Sequence, residues 1–352
     1  MNDRFCWKTR PLAQAENVVA GDSWRFTVLT PGLLRLEYAP GGCFEDRASQ
    51  LAFFRDMPAC SFCVSEQGER MVIRTELLQL EYRKDAPFRE DTLQIRLLTE
   101  PGTLWRFGED FETLGGTART LDGIDGRRPL DPGVCSRDGF SVVDDSRSLL
   151  LEPDGWFGLR QESTRDLYFF GYGWDYPGAV KALYRLTGAP TLLPAYALGN
   201  WWSRFYAYTQ EDYLALMDKF RQNGIPFSVG VVDMDWHITE IPEKKRDQHP
   251  KLGNGWTGYT WNRELFPDPP EFLRQLHKRG LKVALNLHPH AGTCCHEDAY
   301  EAMARANGID PATQQRVPLD VLSRRHMESY FDILHHPYEE DGVDFWWMDW
   351  QQ

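Results

Sequence analysis

The last ten residues of the chain, VDFWWMDWQQ (residues 343–352), decide how the rest of the sequence is interpreted. They form a short apolar run after a helical stretch and an Asp-Gly pair, which is typical of a buried parallel strand. Asp349 stands at the carboxyl end of this predicted strand, next to Trp346, Trp347 and Trp350. In folds that alternate parallel strands and helices, chemistry occurs at this end. Asp349 is therefore a candidate nucleophile for a sugar, and the alternative is an Asp that caps a following helix.

Polar residues also follow the two predicted strands upstream. Asp233 and Asp235 come after one apolar run, and His288 comes after the next. Because the carboxyl ends of parallel strands meet at one edge, we expect these side chains to converge with Asp349. Residues i and i+2 project alike from a strand, so both upstream carboxylates are expected at the edge; the alternative is a loop stabilised by Asx-turns. Carboxylates, a His and Trp faces suit glycoside chemistry, in which one carboxylate attacks the anomeric carbon and an acid protonates the leaving oxygen.

Strands and helices alternate throughout residues 195–352, which predicts a parallel sheet with right-handed crossovers. The predicted strands are 197–203, 227–232, 281–287 and 343–350, and the predicted helices are 211–223, 270–279, 296–307 and 323–335. A closed (β/α)8 barrel typically takes about 250 residues. The pattern therefore predicts either a small open sheet or a barrel cut in half.

The first 180 residues have a different pattern, in which short alternating runs are separated by Gly, Pro and Asp. This predicts a β-sandwich. The clearest predicted strands are 24–29, 33–38, 71–75, 77–82 and 94–98. A predicted helix at 177–187 and a linker at 188–194 follow, so we expect two domains, residues 1–188 and 189–352.

Composition narrows the class of function. The net charge of -13 argues against nucleic acid and anionic membranes as partners. No apolar stretch reaches membrane-spanning length, and no apolar segment follows the charged N-terminus as in a secretory signal. Seven scattered Cys suit a reducing, cytoplasmic compartment better than a disulfide framework. The 13 Trp supply flat apolar faces that suit sugar rings.

Two strings are dense in potential metal ligands, HPH (288–290) and CCH (294–296). Neither has a standard zinc spacing, and pocket-lining or apolar roles are the alternative that we favour. The pair Gly171-x-Gly173 lacks the rest of a dinucleotide fingerprint. The sequence therefore predicts no metal and no organic cofactor.

Several longer strings occur in a fixed order along most of the chain. They are GVCSRDGF (133–140), YRLTGAP (184–190), LGNWWSR (198–204), GIPF (224–227), DMDW (233–236), WNRELFPDP (261–269) and WWMD (346–349). Together they resemble glycoside hydrolase family 31. This family consists chiefly of retaining α-glucosidases and α-xylosidases, with lyases and transglycosylases among its relatives.

The resemblance implies a galactose-mutarotase-like N-terminal β-sandwich followed by a (β/α)8 TIM barrel. It also implies residue roles: Asp349 matches the nucleophile that ends strand four, and Asp233 matches the strand-two Asp that holds sugar hydroxyls. Strand-three pocket residues fall at Asn286 and His288, and Trp347 matches the Trp before the nucleophile. Two further residues, Asp235 and Phe205, complete the expected substrate-binding set.

Two departures from the family pattern matter. The residues after the nucleophile are WQQ (350–352), where the family commonly has a string such as Met-Asn-Glu, and this leaves the substrate subtype open. The family's acid/base Asp lies on a later strand, beyond Gln352. We therefore expect an N-terminal portion of such an enzyme, truncated after barrel strand four and inactive alone.

The resulting hypothesis is a retaining α-glycosidase, α-glucosidase-like, that acts on terminal α-linked sugars through a glycosyl-Asp intermediate. The alternatives are a non-catalytic carbohydrate-binding or scaffold protein, or an α-galactosidase or α-xylosidase of similar fold. The expected partner is an oligosaccharide or glycoside, and homo-oligomer formation stays open.

Overall fold

The computed structural model of the protein describes residues 3–118, 120–121, 123–161, 164–241 and 255–349. The chain divides into two compact units, residues 1–191 and 192–352. The first is rich in antiparallel sheet, and the second combines helices with parallel strands. The sequence predicted this succession, with the boundary set three residues earlier.

The first unit contains two five-stranded sheets. Their orders are β1-β2-β3-β12-β9 and β4-β5-β6-β7-β8, every neighbouring pair is antiparallel, and β10 and β11 form a separate hairpin. The elements are β1 (Val18–Ala20), β2 (Trp24–Thr30), β3 (Leu33–Tyr38), β4 (Cys63–Gln67), β5 (Arg70–Arg74), β6 (Leu78–Arg83), β7 (Leu93–Leu97), β8 (Leu104–Arg106), β9 (Phe140–Asp144), β10 (Leu150–Leu151), β11 (Phe157–Gly158), β12 (Arg165–Gly171) and α1 (Tyr176–Thr187).

Both large sheets contribute to one apolar core. Alternate residues of each strand point into it, as Phe26 and Leu36 do from the first sheet and Leu80 and Ile95 from the second. Each such buried side chain stabilises the fold by about 1.5–3 kcal/mol relative to exposure. The alternating apolar pattern of the sequence is thus the physical cause of this core.

The second unit is built on a four-stranded parallel sheet of order β13-β14-β15-β16. Its elements are β13 (Trp201–Trp202), α2 (Gln210–Gln222), β14 (Val229–Val232), α3 (Pro269–Lys278), β15 (Lys282–Leu287), α4 (Tyr300–Ala306), α5 (Arg324–Leu334), α6 (His336–Asp341) and β16 (Phe345–Met348).

Side-chain caps define where three of these helices begin. The side chains of Thr209, Asp268 and Ser323 accept hydrogen bonds from backbone N–H groups in the first turns of α2, α3 and α5. A cap of this kind satisfies a backbone donor that has no partner within the helix. These three helices therefore begin at fixed points.

The two faces of the parallel sheet differ. Val232, Leu285 and Leu287 point into the large core that the helices cover. Residues at the alternate positions, such as Val231 and Ala284, form a smaller cluster on the opposite face, against which Tyr196 and Phe345 pack. Any side chain at a strand end can thus be assigned to a face by counting from these residues.

Three element predictions need correction. The predicted strand 197–203 is a 3-10 turn at Ala195–Leu198 followed by the two-residue β13, because the turn folds back so that Trp201 Nε1 reaches the Ala197 carbonyl at 3.2 Å. The predicted helix 296–307 begins only at Tyr300, since Glu297 belongs to a loop where its side chain bonds to another loop. The last strand ends at Met348 and is partly exposed rather than buried as predicted, because it lies at the edge of the described sheet; Trp350 lies outside the described residues.

Candidate active site at the carboxyl edge of the parallel sheet

Five of the predicted site residues lie on the same face of the sheet. Asn286 pairs with Trp347 in the ladder between β15 and β16. Asp233 follows Val232, which pairs with Leu285, so Asp233 stands level with Asn286. Asp233, Asn286 and Trp347 each come two positions after a residue of the smaller cluster or one packed against it. They therefore share the face of that cluster, which is opposite the helix-covered face.

Two residues beyond Asn286 and Trp347, on the same face, are His288 and Asp349. The Asp349 N–H donates to the Leu287 carbonyl at 2.8 Å, which extends the ladder by one residue. Nε2 of His288 lies 3.9 Å from Oδ2 of Asp349. The imidazole is buried with a side chain only 4% exposed, whereas the Asp349 side chain is 37% exposed. The edge therefore offers a solvent-reachable carboxylate next to a fixed imidazole.

Burial lowers the pKa of His288 below its ordinary value, although the charges of Asp349 and Asp233 act in the opposite direction. The ring is therefore neutral at pH 7, and one of its nitrogens carries a proton. Its Nδ1 is buried and has no hydrogen-bond partner among the described residues, and the same is true of Asn286 Oδ1. Buried polar atoms of this kind usually have partners, so these two atoms can form hydrogen bonds to a group bound at this edge.

Asp233 also stabilises a local turn, which is the alternative role that the sequence left open. Its Oδ1 accepts a hydrogen bond from the N–H of Met234 at 2.7 Å and caps a 3-10 turn, Met234–Trp236. The strand ends at Val232, so Asp235 is not part of it. The expectation that Asp235 projects from a strand in the same direction as Asp233 is therefore wrong. Asp235 instead sits within the turn, where Thr239 Oγ1 donates to it at 3.5 Å. Burial and the charge of Asp233 raise the pKa of Asp235.

The tryptophans near Asp349 are divided between the two faces. Trp347 is on the Asp349 face and 39% exposed. Trp346 points to the other side, where its Nε1 donates to Glu339 Oε1 at 2.9 Å and its ring lies 4.5 Å from that of His335. The expectation that Trp346 surrounds Asp349 is therefore not met, because successive strand residues alternate between faces.

Phe205 lies after β13 and is 67% exposed. Its place in the substrate-binding set stays a prediction.

Sequence reasoning missed a buried polar cluster behind His288. Glu297 is fully buried; its Oε2 accepts hydrogen bonds from Tyr259 N–H at 3.1 Å and Thr260 Oγ1 at 2.6 Å. Its Oε1 lies 3.2 Å from His296 Nε2. Burial alone would raise the pKa of Glu297, but the His296 ring and the Thr260 hydroxyl lower it below its usual value. The only sequence signal was the ligand-dense CCH string, which ends next to Glu297.

His237 belongs to the same cluster. Burial lowers its pKa to about 4, so the ring is neutral at pH 7. Its Nδ1 lies 3.1 Å from the Ile238 carbonyl oxygen. Among the described residues, no three His, Cys, Asp or Glu side chains are arranged to hold a metal ion. No helix in the described ranges is long and apolar enough to cross a membrane.

The chain is similar in sequence to known proteins. Residues 190–352 match the family model described as the TIM-barrel domain of glycosyl hydrolases family 31. An α-xylosidase from Saccharolobus solfataricus is 25% identical over 231 residues, covering 62% of this chain and 28% of that protein. The α-xylosidase XylQ from Lactiplantibacillus pentosus is 31% identical over 171 residues, covering 45% of this chain and 20% of that protein.

Solved structures show the same fold. A family 31 dextranase from Flavobacterium johnsoniae superposes with a TM-score of 0.64 at 16% identity, covering 94% of this chain and 46% of that one. A family 31 α-xylosidase from Xanthomonas citri gives 0.62 at 13% identity, covering 96% and 57%. The chain thus spans about half the length of these proteins, and its match covers less than a third of the two curated relatives. By the family model, residues 190–352 belong to the TIM-barrel domain of glycoside hydrolase family 31.

Proposed function

We propose that the chain carries the nucleophile half of the active site of a retaining α-glycosidase, with Asp349 as the nucleophile. The observation that supports this most directly is the position of Asp349, whose partly exposed carboxylate ends a parallel strand and lies 3.9 Å from buried His288. Strand ends on this edge are where such folds do chemistry. A carboxylate that only capped a helix would not need a buried imidazole beside it.

In the proposed reaction, a carboxylate oxygen of Asp349 attacks the anomeric carbon of an α-linked sugar. The bond from this carbon to the leaving oxygen breaks, and an acid protonates that oxygen. Water then attacks the β-linked glycosyl ester, gives up a proton to the same acid, now acting as a base, and releases Asp349 with overall retention. We propose that the acid is supplied outside residues 1–352, as the family resemblance implies.

The same proposal assigns the neighbouring residues. Asp233, with one oxygen committed to the Met234 N–H, keeps the other for sugar hydroxyls. Neutral His288 donates to or accepts from a hydroxyl of the same sugar. Trp347 and Asn286 form the wall and floor of the pocket on that face. The chemistry requires no metal or organic cofactor.

The proposal extends to architecture. The two antiparallel sheets that share a core support a β-sandwich, and the four parallel strands support the first half of a (β/α)8 barrel. We also propose a reducing, cytoplasmic setting, which is supported by the scattered positions of the seven Cys in the sequence, since these suit such a compartment better than a disulfide framework.

The substrate class within the proposal is a terminal α-glucoside or α-xyloside. The names of the relatives support both, since some are called α-xylosidases and others α-glucosidases. A substrate panel should therefore contain both sugars, with an α-galactoside as the comparison.

The test is covalent trapping in the full-length protein. A 5-fluoro-α-glycosyl fluoride should form a stable ester, and peptide mass spectrometry should locate it at Asp349. The variant Asp349→Ala should stay unlabelled, and Asp344→Ala, four residues before the strand end, should still be labelled. Label on another carboxylate would assign the nucleophile elsewhere. Sugar binding without label or turnover would favour the alternative of a non-catalytic carbohydrate-binding protein.

A further inference from the structure

Trp256 lies beside the candidate site, although no sequence motif drew attention to it. It stands near the start of the described range 255–349, in the connection between β14 and α3. Its ring meets that of His288 edge to face, with ring centroids 5.1 Å apart. The residue is 41% exposed, so a large part of the indole faces solvent next to the His288–Asp349 pair.

The backbone next to Trp256 is attached to the end of β15. The Thr257 hydroxyl donates to the His288 carbonyl oxygen and accepts a hydrogen bond from the Ala291 N–H at 3.2 Å. Thr257 itself is buried. The residue that follows Trp256 is therefore fixed to the strand that carries His288.

A second attachment follows two residues later. Buried Glu297 accepts from Tyr259 N–H and from Thr260 Oγ1, and Thr260 Oγ1 in turn accepts from Asp298 N–H at 2.9 Å. Hydrogen bonds to a buried charged group are among the stronger ones in proteins. The segment 257–260 is thus held at both ends by the loop after β15.

Close packing beneath the segment limits its movement further. A Cβ on Gly258 would lie 2.2 Å from Nδ1 of buried His237. The backbone passes so close to this ring that only glycine fits. Trp256 is therefore presented from a rigid base, not from a free loop.

We propose that Trp256 is a substrate-contacting residue whose indole packs against the C–H face of the sugar held at Asp349. This inference rests on the proposed glycosidase function. A large exposed aromatic ring on a fixed base, beside an exposed carboxylate, is suited to a ring-shaped ligand with one apolar face. Aromatic rings bind at low entropy cost when their position is already set. The buried Nδ1 of His288 and Oδ1 of Asn286, which have no partner among the described residues, provide polar atoms for the edge of the same sugar.

The proposal predicts that the affinity for sugar falls when the indole ring of Trp256 is removed. In the full-length protein carrying Asp349→Ala, which prevents turnover, glucose, xylose and isomaltose are titrated calorimetrically with and without Trp256→Ala. We expect about tenfold weaker binding without the indole, and about threefold or less with Trp256→Phe, since a smaller ring is retained. The matched control is Trp174→Ala, an exposed Trp in the other compact unit, which should leave affinity unchanged.

Two outcomes would overturn the inference. Affinity within twofold of the parent in Trp256→Ala, for every sugar that the parent binds, would remove Trp256 from the site. Absence of sugar binding by the parent would do the same. The proposed function is judged separately. Undiminished turnover in Asp349→Ala alone would refute the nucleophile assignment, even if Trp256→Ala weakened binding. Lost turnover in Asp349→Ala, together with unchanged sugar binding in Trp256→Ala, would refute only the role of Trp256.

Discussion

His288 and Asp349 face each other across neighbouring parallel strands, with Nε2 of one 3.9 Å from Oδ2 of the other. The separation is too long for a hydrogen bond. A third group can instead bridge the two atoms from one side, and a sugar hydroxyl has the required donor and acceptor atoms. Because the ring is neutral at pH 7, it can act in either direction without placing a second charge at the site.

The first prediction concerns His288. Replacement by Ala should lower kcat/KM of the full-length protein by about 10- to 100-fold, the cost of one hydrogen bond to a charged or reacting group. Gln should retain part of the activity, because its amide can donate and accept. His290→Ala, at an exposed neighbouring position, is the control and should stay close to wild type. Wild-type kcat/KM in His288→Ala would show that the ring does not touch the substrate.

Asp233 carries the second prediction. Asp233→Asn removes a charged acceptor, and a carboxylate–hydroxyl hydrogen bond contributes about 1.5–3 kcal/mol, which corresponds to roughly 10- to 150-fold. This loss of kcat/KM should appear with the intact sugar and be much smaller with the deoxy analogue that lacks the contacted hydroxyl. Glu240→Gln, exposed in the same connection, serves as control. An equal loss on all deoxy analogues and on the intact sugar would contradict the hydroxyl-binding role.

The third prediction is acid sensitivity of the second unit. His335 is buried between the rings of Tyr330 and Trp346, with centroids 4.4 and 4.5 Å away, and burial lowers its pKa to about 4. The unfolded chain takes up this proton near pH 6.5 and the folded chain does not. Stability is therefore complete above pH 6.5 and falls as the pH drops towards 4, by up to about 3 kcal/mol.

The variant His335→Phe should make this decline shallower, since the titrating group is gone and an aromatic ring still fills the space. Urea unfolding at pH 7 and pH 5, followed by tryptophan fluorescence, measures the difference. His290→Gln should leave the decline as it is. Identical pH dependence in His335→Phe and the wild type would mean that this ring is not protonated on unfolding.

Strand positions were predictable where a single physical pattern decides them. The apolar runs before Asp233 and His288 are buried strands in the structure because these inner parallel strands are covered on both faces. The run before Asp349 is a parallel strand as predicted, but it is partly exposed because it lies at the edge of the described sheet. The separation of Trp346 from Trp347 also follows from alternation. The 3-10 turn that contains Asp235 was not predictable in this way, since the strand period gives no signal for where the strand stops.

The buried cluster illustrates a different limit. Glu297 binds Tyr259 and Thr260, which are 38 and 37 residues away in sequence. A pairing between two loops has no period and no local propensity, so it depends on how the strands bring the loops together. The same holds for Trp256, which became a candidate only when its ring was found on His288.

The last prediction concerns the opposite end of the sheet, where Asp344 precedes β16. Its Oδ2 accepts hydrogen bonds from Val283 N–H at 2.8 Å and His277 Nε2 at 2.7 Å, and its Oδ1 accepts from Lys282 Nζ at 2.7 Å. Burial alone would raise the pKa of Asp344, but Lys282, the Val283 N–H and His277 lower it below its usual value. The stabilisation is therefore present above about pH 4 and is lost as the pH falls through the lowered value.

Asp344→Ala should destabilise the second unit by about 1–3 kcal/mol, because the Val283 N–H loses its side-chain acceptor and the strand loses its attachment. Asp344→Asn should cost less, since the amide oxygen can still accept from Val283. Exposed Asp341→Ala is the matched control. Urea midpoints at pH 7, together with amide exchange of residues 283–287, report the effect. Sugar binding should change little, because Asp344 lies at the amino end of the strands and Asp349 at the carboxyl end. Unchanged stability combined with lost sugar binding would contradict this separation of a stabilising end from a binding end.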